Sequence, residues 1–129
     1  MNNKRLGTEF EREVCEILKK DGYWVHFMTP DASGAQPFDI IAAKFDHAVA
    51  IDCKTSQSHI FRLDRLEDNQ IMAFDKWLEC GNNSPILFVK HKNKIRIVPY
   101  RSLECAGKLY LESCTEYSKD RFYWEYVSA

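Results

Sequence analysis

The sequence predicts one α/β domain built on a central mixed β-sheet flanked by helices. An amphipathic helix opens the chain, and three short β-rich segments with turn residues between them follow. A second amphipathic helix then precedes two further strands, giving the order α-β-β-β-α-β-β over residues 1–129. No internal repeat, low-complexity tract or Pro/Gly/Ser-rich linker divides the 129 residues.

The first helix is expected over residues 5–20, where Leu6, Phe10, Val14, Ile17 and Leu18 recur at helical spacing and Asp21-Gly22 closes it. Residues 23–28 are rich in aromatic and β-branched side chains and read as a strand. Turn chemistry fills residues 29–37, after which residues 38–45 and 48–54 form two strands joined by a turn at Asp46-His47. The second helix is expected over residues 64–80, with Leu66, Ile71, Phe74, Trp77 and Leu78 on its apolar face. Residues 85–90 and 94–99 make a hairpin around Lys92-Asn93. From about residue 101 the chain is aromatic-rich, and Tyr117, Phe122, Tyr123, Trp124 and Tyr126 suggest a closing strand or an interface segment.

No run of about 18 apolar residues can span a bilayer, and Met1-Asn2-Asn3-Lys4-Arg5 leads into a charged helix instead of a secretory signal. The 5 cysteines are odd in number and lack zinc-ligand spacing, which fits a reducing cytoplasm. A net charge of −1 speaks against a large nucleic-acid footprint, yet Lys90, His91, Lys92, Lys94, Arg96 and Arg101 cluster locally. That cluster reads either as a DNA-steering patch or as a solvated hairpin.

Strand alternation places Asp52 and Lys54 on one face, with Val49, Ile51 and Cys53 on the other. Asp39 begins the neighbouring strand, so its carboxylate can approach that of Asp52, and two close carboxylates repel unless a cation separates them. A hard ion such as Mg²⁺ answers that repulsion, and the backbone carbonyl of Cys53 is a further oxygen ligand. Lys54 would steady charge on a reacting phosphate, so the set suits phosphodiester hydrolysis. The competing reading is an ordinary surface Asp–Lys ion pair.

Arg5-Leu6-Gly7-Thr8-Glu9-Phe10-Glu11-Arg12-Glu13-Val14, Gly22-Tyr23, Ser33-Gly34, Phe38-Asp39-Ile40-Ile41-Ala42 and Ala50-Ile51-Asp52-Cys53-Lys54 together resemble the archaeal Holliday-junction resolvases and related phage enzymes. These belong to the PD-(D/E)xK nuclease superfamily. The resemblance implies a restriction-endonuclease-like fold and a Mg²⁺-dependent endonuclease in which Mn²⁺ can substitute. It implies branched DNA as substrate, a homodimer that makes two matched nicks, and no small-molecule cofactor.

By the same resemblance Glu11 completes a metal site with Asp39, Asp52 and Cys53, and Glu11, Asp39, Asp52 and Lys54 form the catalytic set. Periodicity alone leaves Glu11 and Glu13 equivalent beside the apolar stripe. Arg5 and Ser33 are implied at the DNA, with an ordinary turn serine as the alternative for Ser33. Gln70 is either a solvent-facing glutamine or a polar contact to metal water or DNA. Asp52 replaces the commoner glutamate of the motif, the loop before Asp39 is long, and the charge is less basic than the family's. Two other readings accompany this one: a restriction-like or repair nuclease on other DNA structures, and a non-catalytic DNA-binding module of the same fold.

Overall fold

A computed structural model describes residues 3–29 and 36–129, with side chains in the first helix from residue 7 onward. Helix α1 (Asn3–Lys20) buries Phe10, Val14 and Leu18, the stripe that a 3.6-residue period selects. Gly22 ends it at φ +98°, and the Tyr23 N–H bonds back to the Leu18 carbonyl at 3.0 Å.

A six-stranded sheet follows. It contains β1 (Trp24–Phe27), β2 (Ile40–Lys44), β3 (His47–Thr55), β5 (Ile86–His91), β6 (Lys94–Pro99) and β8 (Thr115–Glu116), hydrogen-bonded in the order β1-β2-β3-β5-β6-β8. Only β3 and β5 pair in parallel, so the chain crosses over between them through β4 (Ile60–Arg62) and helix α2 (Asp68–Glu79). Alternation along β3 decides the layers. Val49, Ile51 and Cys53 pack with α1, whereas Ala50 packs with Phe61, Phe74 and Leu103 on the opposite face. The mixed sheet flanked by helices is the class that the sequence predicts.

Three local expectations are corrected. The hairpin turn between β2 and β3 falls on Phe45 and Asp46, at φ 50° and 68°, one residue earlier than expected. Phe45 accepts that backbone because its ring meets Tyr123 edge-on at 5.7 Å and the Lys44 ammonium at 5.4 Å. The second helix starts at Asp68, four residues late, because Leu63–Arg65 is a 3₁₀ turn and Leu66 is extended.

The third correction concerns the tail, which is no aromatic strand. It forms α3 (Tyr100–Ala106), β7 (Lys108–Tyr110) paired with β4, the short β8, and α4 (Lys119–Phe122) running on as a π-turn over Tyr123–Val127. Phe122 is fully buried against Phe88 and Tyr117, at centroid distances of 5.0 and 5.4 Å. The segment thus completes the layer that α1 begins. Among the described residues no helix is long and apolar enough to cross a membrane.

Candidate active site

Asp39 is fixed by its backbone before its side chain does anything. Its N–H bonds to the Ile51 carbonyl at 3.1 Å and its carbonyl accepts the Met28 N–H at 2.7 Å, so it is held between β1 and β3 just before β2 begins. The β2–β3 ladder is paired from Ile40 and Ile51 onward, which leaves the Cys53 N–H without a strand neighbour on that edge. The Asp39 Oδ2 takes it at 2.8 Å. Asp39 Oδ1 accepts the Gln36 Nε2 at 2.8 Å.

Asp52 lies on the α2 side of β3 with no solvent exposure. Gln70 Nε2 donates to both of its oxygens at 3.1 Å, and Lys54 Nζ stands 3.4 Å from Oδ2. Gln70 Oε1 accepts from Lys54 Nζ at 3.3 Å and from the Glu67 N–H at 3.1 Å. Gln70 is therefore buried, at 7 % exposure, and the solvent-facing alternative is overturned. Its amide is engaged with Asp52, Lys54 and the start of α2.

The negative charge here is concentrated and dry. Burial, and after it the Asp39 charge, pushes the Asp52 carboxyl well above the usual carboxylate range, with Lys54 pulling the other way. Glu11, half-buried on α1, is pushed up to about 7 by burial first and by the Asp39 charge second. The Lys54 charge pulls the other way. Glu13, the other glutamate beside the apolar stripe, pairs instead with Lys90 Nζ at 2.7 Å.

Among the described residues no three His, Cys, Asp or Glu side chains enclose a ready-made cation cage. The aspartates are turned onto the Cys53 N–H and the Gln36 and Gln70 amides instead, as carboxylates are when protein donors must supply their compensation. The donor set still fits a hard divalent ion, because closely set buried carboxylates of raised pKa are what such an ion neutralises. Beside Lys54 opens a cleft of about 800 Å³, lined also by Thr55, Ser56, Arg65, Lys90 and Lys92.

The family profile described as "Archaeal holliday junction resolvase (hjc)" matches residues 2–117. This chain belongs to that family. The resolvase is similar to the crossover junction endodeoxyribonuclease Hjc of Methanocaldococcus jannaschii, 26 % identical over 107 residues that span 83 % of this chain and 75 % of that protein. Its fold is similar to that of Archaeoglobus fulgidus Hjc, a Holliday junction resolvase from an archaeal hyperthermophile. That likeness has a TM-score of 0.61 at 22 % identity and covers 81 % of this chain and 86 % of the other. Membership makes the chain an endonuclease that resolves four-way DNA junctions.

Sequence reasoning named Glu11, Asp39, Asp52 and Lys54, side chains that the fold brings near one another. It missed Gln36 and Asn69, whose side-chain Nδ2 donates to the Gln36 carbonyl at 2.7 Å. A usable signal was the Glu67-x-x-Gln70 spacing, which marks a helix start and would have put Asn69 and Gln70 in the first turn of α2. The basic cluster is split by the fold: Lys90 and Lys92 line the cleft, Arg96 donates to the Cys114 carbonyl, and His91 is buried against the Ser56 carbonyl. His59 stacks on Tyr110 and is absent from the cleft lining. Ser33 and the Arg5 side chain lie outside the described residues.

The raised carboxyl of Glu11 predicts a pH dependence in EDTA. The folded resolvase holds this proton up to about pH 7, whereas an ordinary glutamate loses it near 4.5. Between those values the folded state binds more protons than the unfolded state, so stability falls as pH rises and then levels off. Melting temperature should drop from about pH 5 to 7.5, and Glu11→Gln should flatten part of that drop. An identical slope in the variant would contradict a raised Glu11 carboxyl.

Proposed function

We propose that the resolvase cuts its junction as a Mg²⁺-dependent nuclease, with Asp39, Asp52, Glu11 and the Cys53 carbonyl as oxygen donors and Lys54 at the reacting phosphate. The observation that carries this is the buried Asp39–Asp52 pair with Lys54 Nζ 3.4 Å from Asp52, at the edge of the cleft. The Cys53 N–H points past the end of β2, and in a strand the carbonyl of the same residue shares that edge. When bound, Mg²⁺ or Mn²⁺ would supply positive charge to the phosphate and a more acidic water.

The chain's own groups do the rest. Lys54 places an ammonium where negative charge builds on the phosphate, and Asp52 and Gln70 hold that ammonium in place. Glu11 closes the charge set from the α1 side, close enough to Asp39 to feel its charge. Lys90, Lys92 and Arg65 line the cleft as phosphate contacts, and the family resemblance adds Arg5 and Ser33. Two matched nicks across a junction require two sites, which a two-fold homodimer of this single nuclease domain would provide. The five cysteines are free thiols, as a cytoplasmic enzyme would keep them.

The test uses labelled four-way junction, linear duplex and single strand, with Mg²⁺ or EDTA, beside Lys54→Ala. The junction alone should receive symmetric nicks, lost in EDTA and reduced by at least about 10²-fold in the variant while DNA binding persists. Cutting in EDTA, or full activity without Lys54, would overturn the assignment. Light scattering should return a particle of two chains.

A further inference from the structure

Helix α2 reaches the catalytic edge of the sheet by two separate arms, and each ends on a different aspartate. One arm is Gln70, whose Nε2 bridges both Asp52 oxygens at 3.1 Å while its Oε1 receives Lys54 at 3.3 Å. The other runs from Asn69 Nδ2 to the Gln36 carbonyl at 2.7 Å, and from Gln36 Nε2 to Asp39 Oδ1 at 2.8 Å. Both arms start in the first turn of the helix. That turn is pinned in turn by the Glu67 N–H on Gln70 Oε1 at 3.1 Å.

We propose that the first turn of α2 positions both aspartates, Asp52 and Lys54 through Gln70, and Asp39 through Asn69 and Gln36. Side-chain carboxylates otherwise rotate, and a cation site works only when its oxygens are held close to their working geometry. Neutral amides suit this task because they donate to a carboxylate without adding a charge that would compete with the metal. Gln36, Asn69 and Gln70 are therefore positioning residues, acting through the aspartates and not on DNA. The placement also makes the register of α2 an input to the site: a shift of that turn moves both aspartates together. This rests on the reading of Asp39 and Asp52 as the metal-holding pair.

The test compares Gln70→Glu and Asn69→Ala with Asp52→Asn in the full-length protein, reading kcat, KM for the junction and Mg²⁺ titration midpoint. Gln70→Glu keeps an acceptor for the Glu67 N–H, so the helix start survives, but it removes the amide donor to Asp52. Each variant should lose about 10- to 100-fold in kcat or in Mg²⁺ affinity, with KM for DNA unchanged, as loss of groups that orient metal ligands does. Restoring a donor with Asn69→Gln should recover part of the loss left by Asn69→Ala.

Wild-type kcat and Mg²⁺ midpoint in both variants, with Asp52→Asn inactive, would overturn the positioning role and leave the metal site standing. A loss confined to melting temperature, with full kcat per folded molecule, would do the same. Full activity in Asp52→Asn would remove the site itself and this inference with it.

Discussion

Replacing Asp52 with asparagine should abolish junction cleavage and, in the same protein, raise the melting temperature measured in EDTA. The two effects share a cause. Asp52 is without solvent exposure and sits beside Asp39, so without a cation its charge opposes the fold. An asparagine keeps one oxygen for Gln70 and Lys54 and carries no charge to repel that of Asp39. Removal of an activity-related conflict of this kind commonly stabilises a protein by about 0.5–2 kcal/mol. The activity loss should be at least about 10²-fold at saturating Mg²⁺, because in the proposed metal site the residue's charge recruits the ion. Thermal melts in EDTA and single-turnover cleavage on one preparation measure both. A variant that melts lower and still cuts would place Asp52 among ordinary structural residues.

The second large effect is expected far from the chemistry. Phe122→Ala should destabilise the fold by about 3–5 kcal/mol, a large share of the 5–15 kcal/mol by which domains are typically stable. The ring is fully buried and touches Phe88 on the central sheet, Tyr117, and Tyr23 at 6.0 Å. Trp124, two residues on, is 67 % exposed, and Trp124→Ala should cost within about 1 kcal/mol. Urea unfolding of the pair separates a core element from a loose tail, and equal midpoints would show the tail to be no part of the core. The result matters for the family comparison as well, because the matched region ends at residue 117. This chain thus carries part of its core, Phe122, Tyr123 and Val127, beyond that region.

The central sheet and the acidic pair were legible because each depends on local alternation. Residues 49–54 alternate in the sequence, and in space Val49, Ile51 and Cys53 join one core while Ala50 joins the other. The tail was misread because Phe122, Tyr123, Tyr126 and Val127 are strand-favouring by type, although their i, i+1, i+4, i+5 spacing is helical. Strand β4 escaped notice because three residues carry no period, and only its partner β7 makes it a strand. Glu11 could not be told from Glu13 on a helical wheel, since the choice depends on where Asp39 and Lys90 lie in three dimensions. Gln70 was obscured by the misplaced helix start. Moving that start from 64 to 68 changes which residues form the first turn.

The parallel pairing of β3 with β5 has a consequence for how such an enzyme is made. Asp39, Asp52 and Lys54 lie at the β2–β3 hairpin, whereas Gln70 comes from α2, part of the crossover that delivers β5 beside β3. Contacts between distant parts of a chain form late, because loop closure must precede them. A chain still emerging from the ribosome therefore brings its two aspartates together before Gln70 arrives to hold Asp52 and Lys54. Topology thus makes the amide clasp on Asp52 and Lys54 a product of the finished sheet and not of the β2–β3 hairpin alone.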